Sequence, residues 1–408
     1  MKKIIDIIYI IVIGLMIFFG SIYVFFLKNQ QDVSYIENRN LFTTATLLSN
    51  EFPELSKQEH IEHVLEDQFL FRYEIVTLKR NLTYSLSKII VPVNNNEYIL
   101  NDIAGSNNLK RVGSSNYIIK GLMVKEDRIE TRVQERIKQY NDIAKRMPNV
   151  NFYVYYPQQP HESSIFDEAN ETVSYGKDVS DFFESQLEIP YKKLQYSTLD
   201  EYKKFFYASD HHWSHLGSYI GYLDILSLVK PDATGIEPNN VDCSFKFYGS
   251  FSTLTGFLLD PGQFCIFDFD LKDYQIIQDD KPLKYANSIE QFYDQANEFN
   301  DWTYLYNVAY PFDGGVRLYE SGVNQESIMI VGDSYMPPVL PLLAQHFGKV
   351  YAVAPMPYYE RNFKVFDYDT FIQENNIENV VFMTTIENYF FDDEYGLRYK
   401  VFDIKDGK

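Results

Sequence analysis

Two short segments hold side chains that together could perform acyl transfer. The first is Gly332-Asp333-Ser334-Tyr335. It follows the apolar run 327–331, which reads as a buried strand, and precedes 339–347, which reads as a helix. A Ser at a strand-to-helix turn stands at the carboxyl end of a sheet. Its own N–H faces the same point and can hold a developing oxyanion. Gly332 lets the chain approach closely there. As plain structure, the same Ser would only cap the following helix.

The second segment is Asp210-His211-His212-Trp213-Ser214-His215. It holds three of the chain's seven histidines within five positions. A catalytic His needs a partner that fixes its tautomer, and a carboxylate two residues back supplies one within a single loop. A neutral imidazole can then take the proton of Ser334. A rival reading makes Asp210, His211 and His215 metal ligands, because His211 and His215 are four apart. No HExxH pattern supports it, and the sequence gives no reason to expect a metal or cofactor.

In this order the two segments resemble the bacterial DHHW protein family. That family is similar to the alginate O-acetyltransferases, which have an SGNH-hydrolase-like fold. There a D-x-H-W segment precedes the G-D-S segment, the reverse of the usual SGNH order. Glu37-Asn38-Arg39-Asn40-Leu41 also resembles the family's E-N-R-x-L stretch, and Asp67-Gln68-Phe69-Leu70-Phe71-Arg72 its D-x-F-P-x-R stretch. The resemblance implies that Ser334 is the nucleophile, His212 the general base and Asp210 its orienter. It implies a covalent acyl-Ser intermediate, passed to a sugar hydroxyl or to water. SGNH enzymes also hold the oxyanion with an Asn and backbone N–H groups. No G-x-N-D segment is present, and Asn388 is the candidate. Arg361 is the candidate for the Arg that the acetyltransferases tend to place after the second strand.

The elements that must position these groups follow from periodicity. Helical spacing marks 58–88, 125–145, 178–188 and 216–229, with part of another helix at 371–374. β-prone runs mark 117–124, 150–156, 327–331, 349–353 and 379–383, and 236–325 is loop-rich. Alternating strands and helices of this length predict an α/β fold, an SGNH-hydrolase-like parallel sheet flanked by helices.

The N-terminus adds a membrane segment. Lys2 and Lys3 precede the apolar run 4–26, interrupted by Asp6 and closed by Lys28. As a helix that run would span roughly 35 Å, enough for a hydrocarbon core and longer than the apolar part of a cleavable signal peptide. The expected organisation is a signal anchor over 1–28, a membrane-proximal linker over 29–57 and an extracytoplasmic SGNH-like domain over 58–408. The net charge of -20 argues against nucleic acid as a partner, since such a body repels phosphate backbones. Cys243 and Cys265 can form one bridge at most, and the spacing does not say whether they do. The expected partners are a polysaccharide substrate, the membrane through the N-terminal helix and, by the family comparison, a multi-span membrane acyltransferase that delivers the acyl donor. The expected activity is O-acetyl transfer onto, or removal from, that polysaccharide. The alternative is a non-catalytic anchored protein that keeps the fold and binds a glycan or a partner.

Overall fold

The computed structural model describes residues 11, 14–15, 18–31, 33–34, 39–49, 56–72, 74–76, 78–79, 82, 86, 94–103, 108–255, 259–278, 281–283, 292–293, 305–312, 315–389 and 404. The chain forms two compact units: Met1–Val91 with Ser252–Leu259, and Pro92–Phe251 with Asp260–Lys408.

In the first unit, a capping box between Ser56 and Glu59 starts the helix Lys57–Asp67. The helical pattern expected over 58–88 is interrupted after Asp67, where Phe71 adopts a left-handed backbone with φ of 63°, and the described residues 72, 74–76, 78–79, 82 and 86 are helical again. The break is tied down by side chains. Asp67 Oδ2 accepts the N–H of Phe42 at 2.9 Å. The Gln68 amide donates to the carbonyls of Gln31 and Phe42 at 2.8 and 3.0 Å. Much of the expected signal anchor lies outside the described residues. Among those described, no helix is long and apolar enough to cross a membrane.

The second unit is built on a mixed eight-stranded sheet. Its strands are β1 Asn151–Pro157, β2 Tyr191–Leu194, β3 Gln275–Gln278, β4 Lys281–Leu283, β5 Val316–Glu320, β6 Ser327–Gly332, β7 Lys349–Val353 and β8 Asn379–Met383. They lie in the order β4-β3-β5-β7-β6-β8-β1-β2. From β7 to β2 every pairing is parallel, as the sequence predicts. The other three strands join antiparallel at the β7 edge, so the sheet is not parallel throughout. The connection 321–326 is the reason. A parallel return needs a crossover of about a dozen residues, and this loop is too short to make one.

The central strands are buried on both faces, and their side chains alternate between two cores. Ile328, Ile330, Val350, Ala352 and Val381 pack on one side. Met329, Val331, Tyr351, Val353 and Val380 pack on the other. Helices α1 Asp127–Arg146, α2 Tyr175–Gln186, α3 Leu199–Phe205, α4 His215–Val229, α5 Leu340–Leu343, α6 Pro355–Asn362 and α7 Tyr368–Glu374 fill the connections. On α1, Ile129, Val133, Ile137 and Tyr140 form one stripe against the second core. On the opposite face α4 packs against β1 and β2 through Tyr222, Ile225 and Leu226. The antiparallel pair Asn240–Phe247 and Gly262–Asp268 is joined by a Cys243–Cys265 disulfide.

Candidate active site

Chain connections leave β6 and β1 in opposite directions across the sheet, with β8 between them. Loops part at such a point and leave a crevice at the strands' carboxyl ends. The residues singled out by the sequence collect there. Ser334, two residues past the end of β6, is exposed. Gly332 is required by close packing: a Cβ on it would sit 2.0 Å from the Met383 carbonyl oxygen on β8.

The loop 206–214 carries the imidazole to Ser334. Trp213 is fully buried and packs against Tyr335 at 5.5 Å between ring centroids. Ser214 caps α4 by accepting the N–H of Gly217. Just ahead of these fixed points Asp210 and His212 are held in register. The Asp210 Oδ1 accepts the His212 backbone N–H at 2.8 Å and lies 2.5 Å from its Nδ1. The other oxygen accepts the Ser250 N–H at 2.6 Å. On its far side the His212 Nε2 lies 2.7 Å from Ser334 Oγ. Burial pushes the Asp210 carboxyl up, but the His212 and His211 imidazoles and these hydrogen bonds outweigh it. They hold the group well below the usual carboxylate range. An ionised Asp210 that accepts from Nδ1–H leaves Nε2 free to take a proton from Ser334.

Both faces of His212 are covered. Tyr306 stacks on it at 3.8 Å and 13°, while its hydroxyl donates to the Ser334 carbonyl at 2.9 Å. The His211 ring lies 3.8 Å away at 37°. A cavity of about 180 Å³ opens beside Ser334, lined among others by Tyr306, Asn307, Phe312, Pro337 and Met356. Two donors belong to residues that line this space. The Ser334 N–H has no hydrogen-bond partner among the described residues. The Asn307 side-chain amide has none either. Asn307 stands in the loop-rich stretch 236–325 with no motif around it, so no sequence signal marked it.

Asn388 sits elsewhere. Its amide donates to Asp333 Oδ2 at 2.6 Å and to Thr384 Oγ1 at 2.8 Å, which occupies both hydrogens. It braces Asp333, whose carboxylate also accepts the Tyr335 N–H at 3.0 Å. Arg361 is exposed in the last turn of α6 and does not line the cavity. His161 is buried behind the site, with Nε2 3.0 Å from Glu387 Oε1, and Lys120 pairs with the same carboxylate. Burial there pushes Glu162 up to about 7. From that layer the Gln159 amide donates to the Tyr335 hydroxyl, which donates in turn to the His211 carbonyl.

The structure does not gather Asp210, His211 and His215 as a ligand set. His215 faces the disulfide sulfurs of Cys243 and Cys265. To bind an ion, the cluster of Asp210, His211 and His212 would have to give up one of the contacts of His212, that of Nδ1 with Asp210 or that of Nε2 with Ser334.

No protein-family model matches the sequence, and no curated protein does. Solved structures do. Bacillus cereus PatB1, determined with a sulfonyl adduct, has a TM-score of 0.57 at 17% identity, over 75% of this chain and 100% of its own. A DHHW family protein from Eubacterium siraeum has a TM-score of 0.56 at 14% identity, over 76% of this chain and 100% of its own. The O-acetyltransferase domain of Pseudomonas putida AlgJ follows with a TM-score of 0.42 at 12% identity, over 72% and 98%. The first two likenesses show the fold: a large central sheet flanked by helices, of the SGNH-like kind.

Proposed function

We propose that this chain is an SGNH-like O-acyltransferase or esterase that works through an acyl-Ser334 intermediate on a cell-surface polysaccharide. The observation that carries the reading is the unbroken line of hydrogen bonds from Asp210 through His212 to Ser334. In the first half-reaction His212 Nε2 takes the Ser334 proton as Oγ attacks the acyl carbonyl carbon. The oxyanion is held by the Ser334 N–H and the Asn307 amide. As it collapses, the bond to the leaving oxygen breaks and His212 returns its proton to that oxygen. In the second half-reaction a sugar hydroxyl or water gives its proton to His212 and attacks the ester carbonyl; as that intermediate collapses the bond to Ser334 Oγ breaks and His212 returns the proton to Oγ. Asp210 stays ionised and steadies the imidazolium in both.

The cavity of about 180 Å³ suits a short acyl group, and acetyl is the natural candidate. The apolar run 4–26 supports an N-terminal anchor that keeps the site outside the cytoplasm. The family resemblance supports a multi-span acyltransferase as the source of the acyl group. Turnover of p-nitrophenyl acetate by the purified chain tests the mechanism. Ser334→Ala and His212→Ala should each lower it by about 10³-fold or more. Wild-type turnover in either variant contradicts it.

A further inference from the structure

His211 stands beside the triad with a nitrogen that the steps above leave unused. Two rings cannot lie over the same face of His212 at 3.8 Å, so Tyr306 and His211 cover opposite faces. Tyr306 lines the acyl cavity and His211 does not. The acyl group therefore sits on the Tyr306 side, and the side of His211 is left for an incoming nucleophile. The His211 side chain keeps 38% of its surface accessible, so a ligand can reach it. Its orientation is fixed in advance. Nδ1 lies 2.7 Å from Ser250 Oγ, and the Tyr335 hydroxyl holds the backbone carbonyl. Nε2 has no partner among the described residues.

Resting on the acyl-Ser334 reading, we propose that His211 Nε2 is the acceptor-side contact of the site. It binds a hydroxyl of the neutral carbohydrate whose neighbouring hydroxyl attacks the acyl-enzyme. The chemistry of the ring favours this ligand class. Partial desolvation and the neighbouring His212 push the His211 pKa down, so the ring is neutral at physiological pH and does not attract an anion as a cation would. The chain's net charge of -20 adds repulsion against polyanionic acceptors. Depending on whether the Ser250 hydroxyl donates to Nδ1 or accepts from it, Nε2 is a donor or an acceptor. A hydroxyl satisfies either state, whereas a carboxylate or phosphate only accepts.

The test is the fate of the acetyl group. The full chain in detergent is given p-nitrophenyl acetate with glycerol or methyl α-D-glucopyranoside as acceptor. The ratio of acetylated acceptor to free acetate is then measured. His211→Ala should lower this ratio by about three- to tenfold, the weight of one hydrogen bond. His211→Gln, which keeps a polar atom near the Nε2 position, should recover part of it. Ser250→Ala, which releases the ring, should lower it by less than His211→Ala. A wild-type ratio in His211→Ala, with Ser334 still acetylated, overturns the inference alone. So does a His211→Gln ratio no higher than that of alanine, or wild-type protein that yields only acetate with both acceptors. A wild-type protein whose Ser334 is never acetylated overturns the acyl-Ser334 reading, and this inference with it.

Discussion

Asp210 is the residue on which the site's electrostatics turn. It is buried, ionised and bonded through both oxygens, so it sets the tautomer of His212 without taking a proton. Asp210→Asn keeps the shape but can no longer insist on a proton at Nδ1. Turnover should fall by about 10³- to 10⁴-fold, while the circular dichroism spectrum and melting temperature stay near wild type. A loss under tenfold would remove Asp210 from the mechanism. At this scale the sequence was informative where one loop holds the chemistry. Asp210 and His212 are two apart, so their contact is a local matter. Their contact with Ser334 spans 122 positions and needed the whole sheet. Asn307 and Asn388 show the limit. Nothing in a lone Asn tells whether its amide braces an Asp, as Asn388 does, or lines a cavity unpaired, as Asn307 does.

The elements place these residues by packing as tight as any core contact. The clearest case is the meeting of β6 and β8 beneath Ser334. Gly332→Ala would set a methyl 2.0 Å from the Met383 carbonyl, and rigid backbone cannot yield as a flexible side chain would. The variant should lose about 1–3 kcal/mol in urea unfolding and most of its turnover, because Ser334 moves with the strand. Wild-type stability would show that β6 has room to shift. Strand and helix positions were largely readable, because buried parallel strands are continuous apolar runs and α1 keeps a regular apolar stripe. What periodicity could not give was the mixed character of the sheet. Strands β3, β4 and β5 are short and lie in a stretch dominated by turn residues, and their direction depends on loop length rather than on side-chain pattern.

Over the whole molecule, buried titratable groups make stability depend on pH. The half-buried His211 and His215 are pushed down by partial desolvation, His215 to about 4. The unfolded chain protonates both below about pH 6.5 while the fold does not, so stability rises with pH from about 4.5 to 6.5. Glu162 acts the other way. Its folded pKa of about 7 means the fold holds a proton that the unfolded chain has lost above about 4.5. The urea midpoint should therefore rise between pH 4.5 and 6.5 in the wild type and rise more steeply in Glu162→Gln. A midpoint that falls over this range, or an unchanged slope in the variant, would contradict this assignment. The excess of acidic residues was plain in the sequence. Which carboxyls sit buried behind the site became visible only once β1 and β8 were neighbours.

The central claim is a covalent bond to one oxygen atom, and peptide mass spectrometry reads it directly. The full chain is quenched in acid within seconds of mixing with p-nitrophenyl acetate. The peptide holding Ser334 should carry one acetyl group in the wild type and none in His212→Ala. Folded wild-type protein that turns the ester over with its label on another residue, or with equal label on Ser334 after loss of His212, would contradict the account.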